Sequence, residues 1–171
     1  LLHGVAGTGK TFISLNLALG SVLPTTIQTT PPFEKVIIVR SVVPSREIGF
    51  MPGTLKEKIA VYEDPYREII NDLLERADGY EQLKGRGHLK FTTTSYLRGI
   101  TFSDAVIIVD EMQNMSYHEL HTIVTRTGKN CRLIFCGDYR QSDLQRHDER
   151  TGLGHFMEIL RDMGKVCCIE F

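Results

Sequence analysis

The segment Gly4-Val5-Ala6-Gly7-Thr8-Gly9-Lys10-Thr11 constrains this chain more than any other feature, because it fits the pattern G-x-x-x-x-G-K-[ST]. Such a loop functions only where a strand delivers the chain into it and a helix leaves it. Its glycines let successive backbone N–H groups turn inward, and the following helix N-terminus adds positive potential. The cradle so formed suits nucleotide phosphates, with Lys10 reaching the β- and γ-phosphates and the Thr11 hydroxyl ligating Mg²⁺. The expected nucleotide-binding residues are Gly4, Val5, Ala6, Gly7, Thr8, Gly9, Lys10, Thr11 and Phe12. A plain glycine-rich turn packed on a helix is the competing reading. The context favours the first: the apolar stub Leu1-Leu2-His3 precedes the loop, and Lys10 to Leu19 carries apolar residues at helical spacing.

The rest of the chain alternates apolar runs with helical patterns. Val36–Val39, Leu89–Thr94, Ala105–Val109, Cys131–Cys136 and Val166–Ile169 read as strands. Helices are predicted from Asp64-Pro65 to about Ala77, from Ser116 to near Gly128, and from Gly154 to Met163. Proline suits a first helical turn, and Ser116-Tyr117-His118-Glu119 fits a capping box. Pro24 to Phe33, and the stretch holding Gly85 and Gly87, read as loops. Continuous apolar strands interleaved with helices predict a three-layer α/β fold, a mostly parallel sheet with helices on both faces. Residues 1–171 read as one domain, cut at both ends, since the first strand keeps two apolar residues and the last stops at Phe171.

Twenty basic against twenty-one acidic residues leave a formal charge of −1, which excludes a wholesale basic coat but permits a local basic groove. No run approaches the roughly 18 apolar residues of a membrane span, so no membrane partner is expected. The four cysteines, Cys131, Cys136, Cys167 and Cys168, form no C-x-x-C pair. They read as buried thiols on strands in a reducing compartment, which predicts a cytoplasmic setting. Met112, Met115, Met157 and Met163 are assigned to the core or its edge. His118 and His121 share a helical face without a convincing set of further ligands, so a structural role is favoured over zinc.

Val106-Ile107-Ile108-Val109-Asp110-Glu111 sets two carboxylates just past a buried strand, the edge where parallel sheets gather ligands. Asp110 suits holding Mg²⁺ through water, and Glu111 beside it suits orienting an attacking water, which points to hydrolysis. A solvated acidic pair ending a strand is the alternative. Gly137-Asp138 with Gln141 ends the next strand, where the Gln141 amide could sense the γ-phosphate or simply sit in a turn.

Six segments together resemble a known family. They are Gly4 to Thr11, Gly49-Phe50-Met51-Pro52-Gly53, Tyr96-Leu97-Arg98-Gly99, Asp110-Glu111-Met112-Gln113-Asn114, Thr125-Arg126-Thr127-Gly128 and Gly137-Asp138. They recur in this order in PhoH-like ATPases, RecA-like P-loop proteins related to the superfamily 1 helicase core. The resemblance implies ATP as ligand with Mg²⁺, ATP hydrolysis, and a tie to RNA or single-stranded DNA. The ring-forming habit of RecA-like proteins implies a homo-oligomer. The turn Arg40 to Arg46 departs from the family pattern. The family's basic segment beyond the last strand and the helicases' second RecA-like domain fall outside these residues.

Phosphoryl transfer gains from an arginine at the γ-phosphate. Arg126 is the first candidate, in cis or from a neighbouring subunit, ahead of Arg98 and Arg140; an ordinary ion pair is the alternative. For nucleic acid, Arg40, Arg46, Lys56 and Lys58 with Phe50 interleaved offer cations and a stacking ring, diluted by Glu47 and Glu57. Lys84, Arg86 and His88 form a second patch. Two other functions compete with an ATPase: an ATP-sensing scaffold without turnover, and a P-loop small-molecule kinase.

Overall fold

The runs Lys35–Arg40 (β2) and Ala105–Asp110 (β4) are apolar at nearly every position, and strands of that kind need cover on both faces. The computed structural model of the chain describes residues 1–24, 30–41, 55–97, 99–138, 147–164 and 166–171, with backbone alone for 55–58 and 147–152. Around β2 and β4 stand β1 (Leu2–His3), β3 (Leu89–Thr93), β5 (Cys131–Gly137) and β6 (Ile169–Glu170). The six strands form one sheet in the order β3-β2-β4-β5-β1-β6, and every pairing is parallel.

The period of two along the strands divides the core. Val36, Ile38, Val106 and Ile108 face one side, beneath α1 (Lys10–Val22), α2 (Leu55–Leu73) and α3 (Gly79–Gly85). Ile37, Val39, Ile107 and Val109 face the other, beneath α4 (Tyr117–Thr125) and α5 (His147–Asp162). The result is the expected three-layer α/β architecture. The loop after β1 and the acids after β4 emerge at the same sheet edge, with β5 between them.

Several boundaries differ from expectation. α1 continues through the exposed Gly20 to Val22, because Ala18, Leu19 and Val22 all bury against the sheet. α2 does not begin at Asp64-Pro65; it begins at Leu55 and carries Pro65 inside. Ile59, Tyr62, Tyr66, Ile69, Ile70 and Leu73 make one apolar stripe at helical spacing, and that packing outweighs the hydrogen bond a proline forgoes. The expected loop before β3 contains α3, whose glycines at both ends mask it in sequence; Tyr80 and Leu83 bury it. α5 begins at His147, ahead of Gly154, and the last strand is the short exposed edge Ile169–Glu170.

Among the cysteines, Cys136 is buried, whereas Cys167 and Cys168 are exposed and lie off the strands. Among the methionines, Met112, Met115 and Met157 are buried but Met163 is exposed.

The capping box forms as predicted: the Glu119 N–H donates to Ser116 Oγ at 3.3 Å, and the Ser116 N–H donates to Glu119 Oε2 at 2.8 Å. At the far end of α4 the chain closes onto the segment before β4. Phe102 N–H donates to the Arg126 carbonyl and Gly128 N–H donates to the Phe102 carbonyl, both at 2.8 Å. A Cβ on Gly128 would lie 2.6 Å from that Phe102 oxygen. Gly128→Ala is therefore expected to cost about 1–3 kcal/mol, read as a lower urea midpoint at unchanged slope.

Candidate nucleotide-binding site

The loop leaves β1 at His3 and enters α1 through Gly9, whose left-handed φ of 83° and N-cap position a side chain would strain. Gly7, at φ 82°, makes the same demand two residues earlier. No side chain caps α1 and no acid stands in its first turn, so its leading N–H groups keep their positive field for an anion. Lys10 folds back over the loop, its Nζ donating to the carbonyls of Gly4 at 2.9 Å and Val5 at 2.7 Å, and to Thr8 Oγ1 at 3.2 Å.

Asp110 ends β4 and is buried at 5% exposure. The Thr11 hydroxyl lies 3.2 Å from both of its oxygens, and the Tyr66 hydroxyl, reaching across from α2, donates to Oδ2 at 2.8 Å. Burial pushes the Asp110 carboxyl above the usual carboxylate range. The Tyr66 O–H opposes this, the charge of Glu111 adds to it, and Arg40 and the Thr11 hydroxyl oppose it. Burial, with Asp110 alongside, pushes the Tyr66 phenol well up, so it stays a donor. Arg40 is the register partner of Asp110 on β2, and its guanidinium sits 5.4 Å from the centre of the Tyr62 ring, one turn before Tyr66.

Glu111 adopts a left-handed backbone, φ 53°, an uncommon conformation for a side chain of this kind and one that collects at functional sites. Its Oε2 accepts from Gln113 Nε2, while Gln113 Oε1 accepts from the Asp138 N–H at 3.1 Å. The buried Gln113 thus ties the acid after β4 to the tip of β5.

Ala6, Gly7, Gly9, Lys10, Thr11, Phe12, Ile69, Asp110, Glu111, Gln113, Gly137 and Asp138 enclose one cavity of about 340 Å³. That volume lies within the range of small-ligand sites. Oxygen donors from Thr11 and Asp110, adjacent and partly buried, are the kind of set Mg²⁺ takes. A cation there would also offset the burial of the Asp110 charge. Gly4, Val5 and Thr8 contribute to the loop as acceptors for Lys10.

Arg126 is not brought to this cavity. It is the C-cap of α4, with its carbonyl bonded at the opposite edge of the sheet. It lines a separate polar groove of about 640 Å³ with Thr94, Ser95, His118, Glu119 and Thr122. Gln141, Arg98, Arg140, Arg46 and Phe50, and the side chains of Lys56 and Lys58, lie outside the described residues.

The second basic patch sits at the sheet edge opposite the phosphate loop. There Lys84 pairs with Glu63 at 3.0 Å, and His88 Nδ1 lies 2.9 Å from the Glu34 carbonyl. The His121 ring lies along that of Tyr117. Burial pushes the Cys136 thiol up to about 12, which keeps it protonated. Among the described residues, no helix is long and apolar enough to cross a membrane.

Sequence reasoning gave no site role to Tyr66, Gln113, Asp138 or Ile69, although Gln113 and Asp138 stand in segments that carry the family resemblance. Gln113 stands two residues beyond Glu111, which is a usable signal. Tyr66 and Ile69 instead read as two more positions of a helical apolar stripe.

The family model for PhoH-like protein matches residues 1–171. The chain belongs to the PhoH-like family. That family is one of P-loop ATPases. Its relatives include the PhoH-like protein of Bacillus subtilis (strain 168), 34% identical over 98% of this chain and 50% of that protein. The PhoH-like protein of Synechocystis is 32% identical over 95% of this chain and 48% of its own length. Protein PhoH of Escherichia coli K12 is 33% identical over 98% and 46%. The chain therefore spans about half the length of the curated relatives it matches.

The folded chain holds the Asp110 proton more tightly than the unfolded chain does. This stabilisation is present below the unfolded carboxylate pKa and is lost as pH rises through the folded one. At neutral pH without divalent cation, Asp110→Asn is expected to melt at a higher temperature than the wild type. The gap is expected to close as pH falls toward the carboxylate range, as thermal melts in chelator across a pH series would show.

Proposed function

We propose that this chain is a Mg²⁺-dependent ATP hydrolase whose turnover is coupled to RNA or single-stranded DNA. The observation that carries the reading is the placement of Glu111. Gln113 holds it at the rim of the phosphate-loop cavity, one residue beyond the Asp110 that pairs with Thr11. An acceptor carboxylate in that position suits taking a proton from water.

In this reading the loop N–H groups and the α1 N-terminus hold the triphosphate, and Phe12, exposed on the first turn of α1, adds a flat contact for the nucleotide. Lys10 leaves its carbonyl partners for the β- and γ-phosphates and steadies the charge that grows on the phosphoryl oxygens. Thr11 and Asp110 would hold Mg²⁺, Asp110 through water, and the ion would supply charge neutralisation for the phosphates. Glu111 accepts a proton from the attacking water; the bond to the γ-phosphorus forms as the β–γ bridge breaks, leaving ADP and phosphate. Gln141 senses the γ-phosphate. Arg126 completes the site from a neighbouring subunit, which calls for a homo-oligomer, a ring being the natural closed form.

A phosphate-release assay with and without single-stranded RNA or DNA tests the whole reading. Stimulation that fades as salt rises is the expected result, because polyanion contacts release counterions. Stoichiometric ATP binding without phosphate release would leave an ATP-sensing scaffold in its place, and label moving to an organic acceptor would leave a kinase. Lys10→Ala is expected to abolish tight ATP binding. Glu111→Gln is expected to retain binding and slow hydrolysis by about 10²–10⁴; turnover at the wild-type rate removes Glu111 from the mechanism.

A further inference from the structure

Gln113 is a polar side chain in a place where packing alone would take an apolar one. It follows closely on the left-handed turn at Glu111, stands beside the buried Met112, and is itself only 4% exposed. Gly137 makes room for it, since a Cβ there would come within 2.7 Å of Gln113 Oε1. A buried amide is costly unless both of its halves are bonded. Here Nε2 donates to Oε2 of Glu111, and Oε1 accepts from the Asp138 N–H at 3.1 Å.

The two bonds ask opposite chemistry of one side chain. The carboxylate needs a donor and the main-chain N–H needs an acceptor, and an amide supplies both. Glutamate at this position would be acceptor-only when ionised and would meet Glu111 with like charge. Methionine would fill the space and supply neither bond, and asparagine would carry the amide on a shorter stem.

The groups joined in this way differ in rigidity. Asp138 follows directly on β5, which is paired with β4 on one side and β1 on the other, so its N–H is a fixed point. Glu111 has left β4 for a left-handed backbone, and its carboxylate ends a long flexible side chain. Among the described residues that carboxylate has no hydrogen-bond partner other than Gln113. A reacting group is placed well only when its support is itself held.

We propose that Gln113 is a positioning residue for hydrolysis, fastening the Glu111 carboxylate to the end of β5 and so setting where that carboxylate meets water. The proposal rests on the reading that Glu111 accepts a proton from the attacking water. Gln113 acts through Glu111 and not on a reacting atom. Its loss is therefore expected in the rate of turnover rather than in the hold on nucleotide.

The test measures phosphate release, and calorimetric affinity for a non-hydrolysable ATP analogue, on the full chain as wild type, Gln113→Met, Glu111→Gln and the double variant. Gln113→Met is expected to lower kcat by roughly 10–100-fold, the cost of a misplaced group. Affinity for the analogue is expected to stay within about twofold of wild type, the split that marks a residue acting on turnover alone. In the Glu111→Gln background the same change is expected to cost nothing further, because residues acting as a unit do not add. An unchanged kcat, losses that add across the pair, or equal weakening of turnover and analogue binding would overturn the assignment. Should Gln113→Met fail to fold, as judged by circular dichroism, Gln113→Asn takes its place with the same expected split and the same overturning outcomes. Glu111→Gln turning over at the wild-type rate overturns the reading of Glu111 and this proposal with it, whereas additive losses leave Glu111 in place and remove Gln113 alone.

Discussion

A carboxylate buried at the end of an entirely apolar strand is the costliest object in this fold, and much of the site is arranged around it. Asp110 follows five residues that are each fully buried, so its charge sits where water cannot solvate it. The fold answers with donors from two directions, Thr11 from the start of α1 and Tyr66 from the middle of α2. Arg40 adds a positive charge from the neighbouring strand. Each donor belongs to a helix on the same face of the sheet. Packing that face and stabilising the acid are thus achieved by the same elements.

The cost explains a division of labour between the two acids. Asp110, desolvated and held by hydroxyls, is suited to a fixed partner such as a cation. Glu111, one residue later, has left the strand in a left-handed turn and sits half-buried at the cavity rim. Adjacent residues of one chemical type thereby acquire different environments, and different environments allow different tasks.

The parallel sheet and its two covered faces were legible because β2 and β4 are apolar at every interior position, a pattern that no half-exposed strand would carry. The phosphate loop was legible because its glycines and lysine are spaced by backbone geometry rather than by packing. Local signals failed where tertiary contacts outvoted them. Pro65 announced a helix start, but the apolar stripe on both sides of it drew the helix back to Leu55. The glycines flanking α3 announced a loop, yet Tyr80 and Leu83 had a core to enter. Within the site, Tyr66 was invisible as a polar residue because its ring satisfies the same periodicity as its neighbours. The place of Arg126 at the C-cap of α4, outside the phosphate-loop cavity, follows from strand order and not from spacing.

β5 stands between the strand that feeds the phosphate loop and the strand that ends in the acids. Its tip is fastened to the acidic side through Gln113, and Gly4 N–H bonds to the Gly137 carbonyl on the other. A Cβ on Gly137 would press within 2.6 Å of Met112 and 2.7 Å of Gln113, so the seam has no slack. The three strand ends therefore behave as a linkage of stiff bars. A displacement imposed on the middle one is delivered to the cradle and to the acid in lockstep, and neither end can be retuned alone.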